Sequence, residues 1–156
     1  MVRSEPLGLP PGQVSDVILI GGAKTKQTFA APASELYISP LFRSARAYAE
    51  HSGAPWFILS AEHGVLGGEV IVEPYDCAQG DQSARARQQW ALLVVSQLEG
   101  LLGSLTGKSI EVHIGSKYAT PLRRLLSERG ASVTEPLAGL PLGRRLSWYG
   151  QHSSCH

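Results

Sequence analysis

The chain is poor in the residues that staple or anchor a protein. It holds two cysteines, Cys77 and Cys155, in 156 residues. They form no Cys-x-x-Cys pair and no disulfide framework, and read as free thiols in a reducing compartment. No apolar run nears the roughly 18 residues that span a bilayer. The start, Met1-Val2-Arg3-Ser4-Glu5-Pro6, lacks the hydrophobic core of a signal peptide. These absences predict a soluble, cytoplasmic protein with no membrane partner. The five histidines are scattered without metal-ligand spacing, so neither a metal nor another cofactor is expected. A formal net charge of +1 gives no global drive toward nucleic acid, although a local basic patch remains open.

Several catalytic signatures are missing too. Gly21-Gly22-Ala23-Lys24-Thr25-Lys26 is neither a Gly-x-Gly-x-x-Gly dinucleotide fingerprint nor a P-loop. Ser60-Ala61-Glu62-His63-Gly64 is not a Gly-x-Ser-x-Gly nucleophile elbow.

What the chain does have is a repeated local design. Four short apolar runs each end in small or polar residues. Val17-Ile18-Leu19-Ile20 leads into the Gly21–Lys26 loop, and Trp56-Phe57-Ile58-Leu59 leads into Ser60–Gly64. Ile110-Glu111-Val112-His113-Ile114 leads into Gly115-Ser116-Lys117, and Ala131-Ser132-Val133-Thr134 into Glu135-Pro136. Continuous apolar runs suit strands buried on both faces. The spacing predicts strands near 16–21, 55–60, 109–114 and 131–134.

Between them lie helix signals. Ser39-Pro40 caps and opens one helix, which Gly53 stops. Ser83 caps a long helix over 84–102, whose stripe is Trp90, Val94, Leu98 and Leu101. Thr120-Pro121 reads as a second proline start, and Leu140-Pro141 as a third, running to about Tyr149. Glu69–Pro74 reads as a short extended piece, and 22–38 as a long irregular loop. Alternating strands and helices predict a three-layer α/β sandwich with a four- to five-stranded, mostly parallel sheet. One domain is expected over 16–150, between a flexible segment 1–15 and a flexible tail 151–156.

Ligands of such sheets bind beyond the carboxyl ends of the strands, so the post-strand loops carry the candidate residues. Glu62 and His63 are acid/base candidates, because histidine titrates near neutral pH and a carboxylate orients it. Asp76, in Glu73-Pro74-Tyr75-Asp76, is the third catalytic candidate. Gly22, Lys24 and Lys26 suit an anion, with glycine letting backbone amides approach it. Ser39 sits at a helix start, which also favours anions. Ser60 and Ser116 would bind substrate, and Tyr37, Phe42 or Tyr75 would stack on a planar base.

Taken together, Gly21-x-x-Lys24-Thr25-Lys26, Ala31-Pro32-Ala33, Leu36-Tyr37-Ile38-Ser39, Phe42, Trp56–Ala61, His63-Gly64, Pro74-Tyr75-Asp76 and Pro136-Leu137-x-Gly139-Leu140-x-x-Gly143 resemble a family of small bacterial and phage domains of unknown function. The resemblance covers about residues 17–150. That family is more distantly similar to the core domain of archaeosine synthase and to peroxide-stress proteins of the YaaA type. The kinship implies a nucleobase-, nucleoside- or nucleotide-processing enzyme, with cleavage or exchange at a glycosidic bond as the reaction. The alternative is a non-catalytic nucleic-acid or nucleotide binder. Members commonly carry a cysteine just before the lysine motif, where this chain has Gly22 and Ala23.

Overall fold

In chain order the elements are β1 (Val17–Gly21), β2 (Ala31–Pro32), α1 (Ala33–Leu36), α2 (Pro40–Ser52), β3 (Trp56–Ser60), β4 (Gly64–Leu66) and β5 (Ile71–Val72). There follow α3 (Ala84–Leu102), β6 (Ser109–His113), α4 (Ser116–Glu128), β7 (Ser132–Thr134) and α5 (Leu142–Ser153). They come from a computed structural model that describes residues 15–22, 26, 28–74 and 83–153. The expected lead-in therefore lies outside the described residues except for Ser15, as does the tail from 154. Lys24, Tyr75, Asp76, Cys77 and Cys155 lie outside them as well.

Five strands form one sheet in the order β4-β3-β1-β6-β7. All neighbours are parallel except β3 and β4. A separate two-stranded pair joins β2 and β5 antiparallel. Strand alternation sorts the core into two layers. Val17, Leu19, Ile110 and Val112 pack with Trp90, Val94 and Leu98 of α3 and Leu122 and Leu126 of α4. Ile18, Ile20 and Ile58 pack on the other face with Phe42, Ala45 and Ala49 of α2 and Tyr149 of α5. Full burial is worth about 1.5–3 kcal/mol per large apolar side chain, so both faces are held mainly by these stripes. The result is the expected three-layer α/β sandwich.

The serine caps form as the sequence implies. Ser39 accepts the Phe42 N–H and Ser83 accepts the Ala86 N–H. Gly53 ends α2 at φ 78°, a left-handed conformation that glycine adopts without a Cβ clash. The Thr120-Pro121 start is different: α4 begins a turn earlier, at Ser116, with Pro121 inside it. Proline lacks the N–H that would bind the Lys117 carbonyl. Starting at Ser116 buries Tyr118 and Ala119, with the Tyr118 ring edge-on to Trp90 at 4.9 Å. That burial offsets one missing bond at an exposed helix start. The last helix also runs on to Ser153.

Strand β4 was hidden in the sequence, because its turn is held by side chains rather than by a familiar turn dipeptide. The Ser60 hydroxyl accepts the N–H groups of Glu62 and His63 at 3.2 and 3.0 Å. Gln97 of α3 then clamps the hairpin. Its amide oxygen accepts the Val65 N–H at 2.7 Å, and its nitrogen donates to the His63 carbonyl at 3.1 Å. Trp90 adds a third tie, donating its indole N–H to the Ser60 carbonyl at 2.8 Å. Gly64 sits at φ 76°, and a Cβ there would overlap the Gln97 amide. Gly64→Ala should therefore lower unfolding stability by about 2 kcal/mol or more, from strain at positive φ plus the displaced clamp. Urea unfolding of both proteins measures this, and a loss under about 0.5 kcal/mol, the ordinary surface scale, would contradict it.

Candidate functional site

Strand order sets the site. From β1 the chain crosses through α2 to β3 on one side, and from β6 through α4 to β7 on the other. The two crossover helices cover opposite faces. A crevice is therefore expected at the carboxyl ends of β1 and β6. A cavity of about 300 Å³ occupies that place. Gly21 and Gly22 line it from β1, and His113, Ile114 and Gly115 from the end of β6. The start of α2 contributes Ser39, Leu41, Phe42 and Ala45. Leu137, Arg145 and Tyr149 close it from the β7–α5 side.

One polar chain runs from this cavity into the protein. Val112 faces the α3–α4 layer, so alternation points Glu111 and His113 the other way, beneath α2 and α5. The His113 side chain is 1% exposed and that of Glu111 is 10% exposed. His113 Nε2 meets Glu111 Oε2 at 2.7 Å, and His113 Nδ1 meets the Tyr149 hydroxyl at 2.8 Å. Tyr48 of α2 donates to the same Glu111 oxygen, and Ser15 donates to the other at 3.1 Å. The Tyr48, Trp148 and Tyr149 rings lie 5.2–5.8 Å from the imidazole and exclude water from it.

The electrostatics follow from that packing. Burial pushes the Glu111 carboxyl up, but hydrogen bonds from His113 and Tyr48, the His113 charge and the Ser15 hydrogen bond outweigh it. The net effect holds Glu111 below the usual carboxylate range, so it is ionised at neutral pH. A carboxylate only accepts hydrogen bonds, so His113 Nε2 carries a proton. Burial pushes the Tyr149 phenol above its ordinary range. The Arg145 charge opposes this and the Glu111 charge adds to it. Burial and the bonded Glu111 raise Tyr48 as well.

Helices α2 and α5 each bring one donor group to the cavity residues. Ser39 spends its hydroxyl on the Phe42 N–H, and Pro40 has no N–H. The Leu41 N–H is thus the first-turn amide without an intrahelical partner, at the positive end of the helix dipole. Arg145 donates through Nε to the Leu140 carbonyl at 2.8 Å, which fixes its guanidinium at the cavity. It pairs with no carboxylate among the described residues.

Of the residues expected from sequence, the lining brings together Gly22, Ser39 and Phe42. The Gly22 amide does not face a ligand, since it donates to the Leu59 carbonyl at 2.9 Å. Glycine is required there for another reason: a Cβ would come within 2.7 Å of the Tyr37 ring. Tyr37 is fully buried against Phe42, with Lys26 Nζ 5.9 Å from its ring centroid, so it supports the loop from beneath. Ser60 is buried as the hairpin's acceptor, and Glu62 and His63 are exposed in the turn it holds. None of these four side chains lines the cavity. Ser116 lines a separate groove on the α3–α4 side. Among the described residues no His/Cys/Asp/Glu cluster could hold a metal ion, and no helix is long and apolar enough to cross a membrane.

Glu111, His113, Tyr48, Tyr149 and Arg145 were not singled out from the sequence. A signal existed for two of them. Glu111 and His113 sit two apart in a run read as buried on both faces, so alternation already placed two titratable groups side by side in the interior. Tyr48, Tyr149 and Arg145 come from distant helices, and no spacing links them to β6.

Because the folded-state pKa of Glu111 is depressed, its contribution is present above the unfolded value of about 4.3. It is lost as pH falls through the lower folded value. Glu111→Gln should cost about 1–3 kcal/mol at pH 7, the scale for disturbing a buried charged acceptor. The gap to the wild type should narrow as pH drops below about 4, where the wild-type carboxylate also protonates. Urea unfolding at several pH values tests this, and a gap that stays constant down to acid pH would rule out the ionised state.

Neither a curated protein nor a solved structure matches the chain. A family of unknown function does match, over residues 17–151, which takes in the cavity and the whole buried relay. The chain belongs to that family, DUF6884.

Proposed function

We propose that the protein is a nucleoside- or nucleotide-processing enzyme whose reaction runs in the Gly21–Ser39–Arg145 cavity. The observation that carries the reading is the Glu111–His113–Tyr149 chain, which ends in the cavity wall beside a cation and a helix start. Phosphate would bind Arg145 and the Leu41 N–H. A planar base would lie against Phe42, Tyr149, Leu41 and Leu137, whose apolar and aromatic surfaces line the rest. The resemblance to archaeosine synthase and YaaA-type proteins adds weight to nucleobase chemistry, with cleavage or exchange at the glycosidic bond as the reaction. A chain with only two cysteines suits the cytoplasm.

The relay suits proton delivery to a departing base. In the imidazolium form His113 donates from Nδ1 to the Tyr149 oxygen, leaving the phenol proton directed at the ligand. As Tyr149 gives up that proton it takes the one on Nδ1, so no phenolate forms. Glu111 accepts from Nε2 throughout and holds the ring in place. A second reading has an observation of its own. Both imidazole nitrogens are already bonded, as in a purely structural network, and this favours a non-catalytic nucleotide binder.

Release of free base from a panel of nucleotides and modified nucleic acids separates the two. Tyr149→Phe should slow turnover by roughly 100-fold or more with ligand affinity retained, the scale of lost general-acid catalysis. Arg145→Ala should weaken binding of phosphorylated ligands about tenfold or more, as for a lost charge-assisted contact. Wild-type turnover by Tyr149→Phe would remove the relay from the mechanism. Tight binding without reaction across the panel would establish the binder instead.

A further inference from the structure

Beside the cavity, on the α3–α4 side of the sheet, lies a second opening of about 380 Å³ between the starts of α3 and α4. Arg87, Lys117 and Arg124 line it, with the Ser116 and Thr120 hydroxyls and Gln88, and no carboxylate is among its described lining residues. The protein as a whole is close to neutral, so three cations around one groove stand out from the average surface. Two arginines nearby are neutralised: Arg123 pairs with Glu135 at 2.9 Å and Arg129 with Glu99 at 3.4 Å. Lys117 and Arg124 have no carboxylate partner among the described residues.

We propose that this groove carries the phosphodiester backbone of a single-stranded nucleic acid whose target nucleotide sits in the cavity. The inference rests on the cavity being a nucleotide site and names a polymer as its substrate. Two features point to a polymer. Gly115 lines the cavity and Ser116 lines the groove, so consecutive residues at the start of α4 border both openings. A strand leaving the cavity would meet the groove at once. Lys117 and Arg124 also stand seven residues apart on α4, about 10 Å along its axis. That spacing lets the two cations reach separate phosphates of one chain. Ser116 and Thr120 hydroxyls and the Gln88 amide would bind phosphate oxygens without reading sequence. A narrow basic track beside a pocket for one base suits a single strand. A duplex needs phosphate neutralisation over a wide face, and the net charge does not supply it.

The test is fluorescence anisotropy with labelled single-stranded DNA and RNA of about 8 nucleotides, within the usual site size, beside calorimetric titration of nucleoside monophosphates. Lys117 and Arg124 are exposed, so a Lys117→Gln, Arg124→Gln double variant should fold normally. It should bind the oligonucleotide about tenfold or more weakly, and its salt dependence should be shallower by about 1–2 in log–log slope, as expected for two lost phosphate contacts. Its monophosphate affinity should match the wild type. Equal oligonucleotide affinity and slope in both proteins would overturn the groove assignment, as would no oligonucleotide binding by the wild type. Equal affinity for duplex and single strand would overturn the single-strand assignment. Groove-dependent oligonucleotide binding with no monophosphate binding would overturn the cavity reading and leave the groove standing.

Discussion

A carboxylate inside the molecule constrains everything around it. Glu111 lies on an interior strand, where an unpaired charge would be intolerable. Three donors from three places satisfy it: Ser15 before β1, Tyr48 on α2 and His113 on its own strand. Each fixes part of the structure. Ser15 ties the entry of the chain to the sheet, Tyr48 sets how α2 lies across β6, and His113 passes the constraint to Tyr149 of α5. Removing any donor leaves buried charge less compensated, which costs more than a surface hydrogen bond is worth. The α2–α5 layer is therefore held by a directional network around a buried charge as well as by apolar packing, whereas the directional ties of α3 run to the β3–β4 hairpin.

Most of the architecture was legible in the chain, because it rests on local rules. Apolar runs marked the four parallel strands, and Ser39-Pro40, Gly53 and Ser83 marked helix ends that form as capping chemistry requires. The misreadings occurred where a distant partner decides. Pro121 suggested a helix start, but burying Tyr118 against Trp90 moved that start to Ser116. Strand β4 depends on Gln97, more than thirty residues later in the chain, so its turn carried no local signature.

The site was harder to read, for the same reason. The rule that ligands sit beyond strand ends points to the edge of the sheet where a cavity opens, and Gly22, Ser39 and Phe42 line that cavity. The polar loops carry the conspicuous acid/base residues, yet Glu62 and His63 stand exposed and away from the cavity lining. The buried titratable groups lie within strand β6 itself, in residues that read as interior filling. In a two-sided sheet, a charged residue inside an apolar run is the anomaly to follow, since it requires partners that the neighbouring sequence cannot supply.

Helix α2 holds two unrelated tasks on one rigid body. Its first turn lines the cavity through Ser39, Leu41 and Phe42. Two turns on, about 10 Å away, Tyr48 grips the carboxylate. A rod of this length transmits displacement without bending. One helix thus holds a wall of the cavity and a donor to the interior charge at a fixed separation.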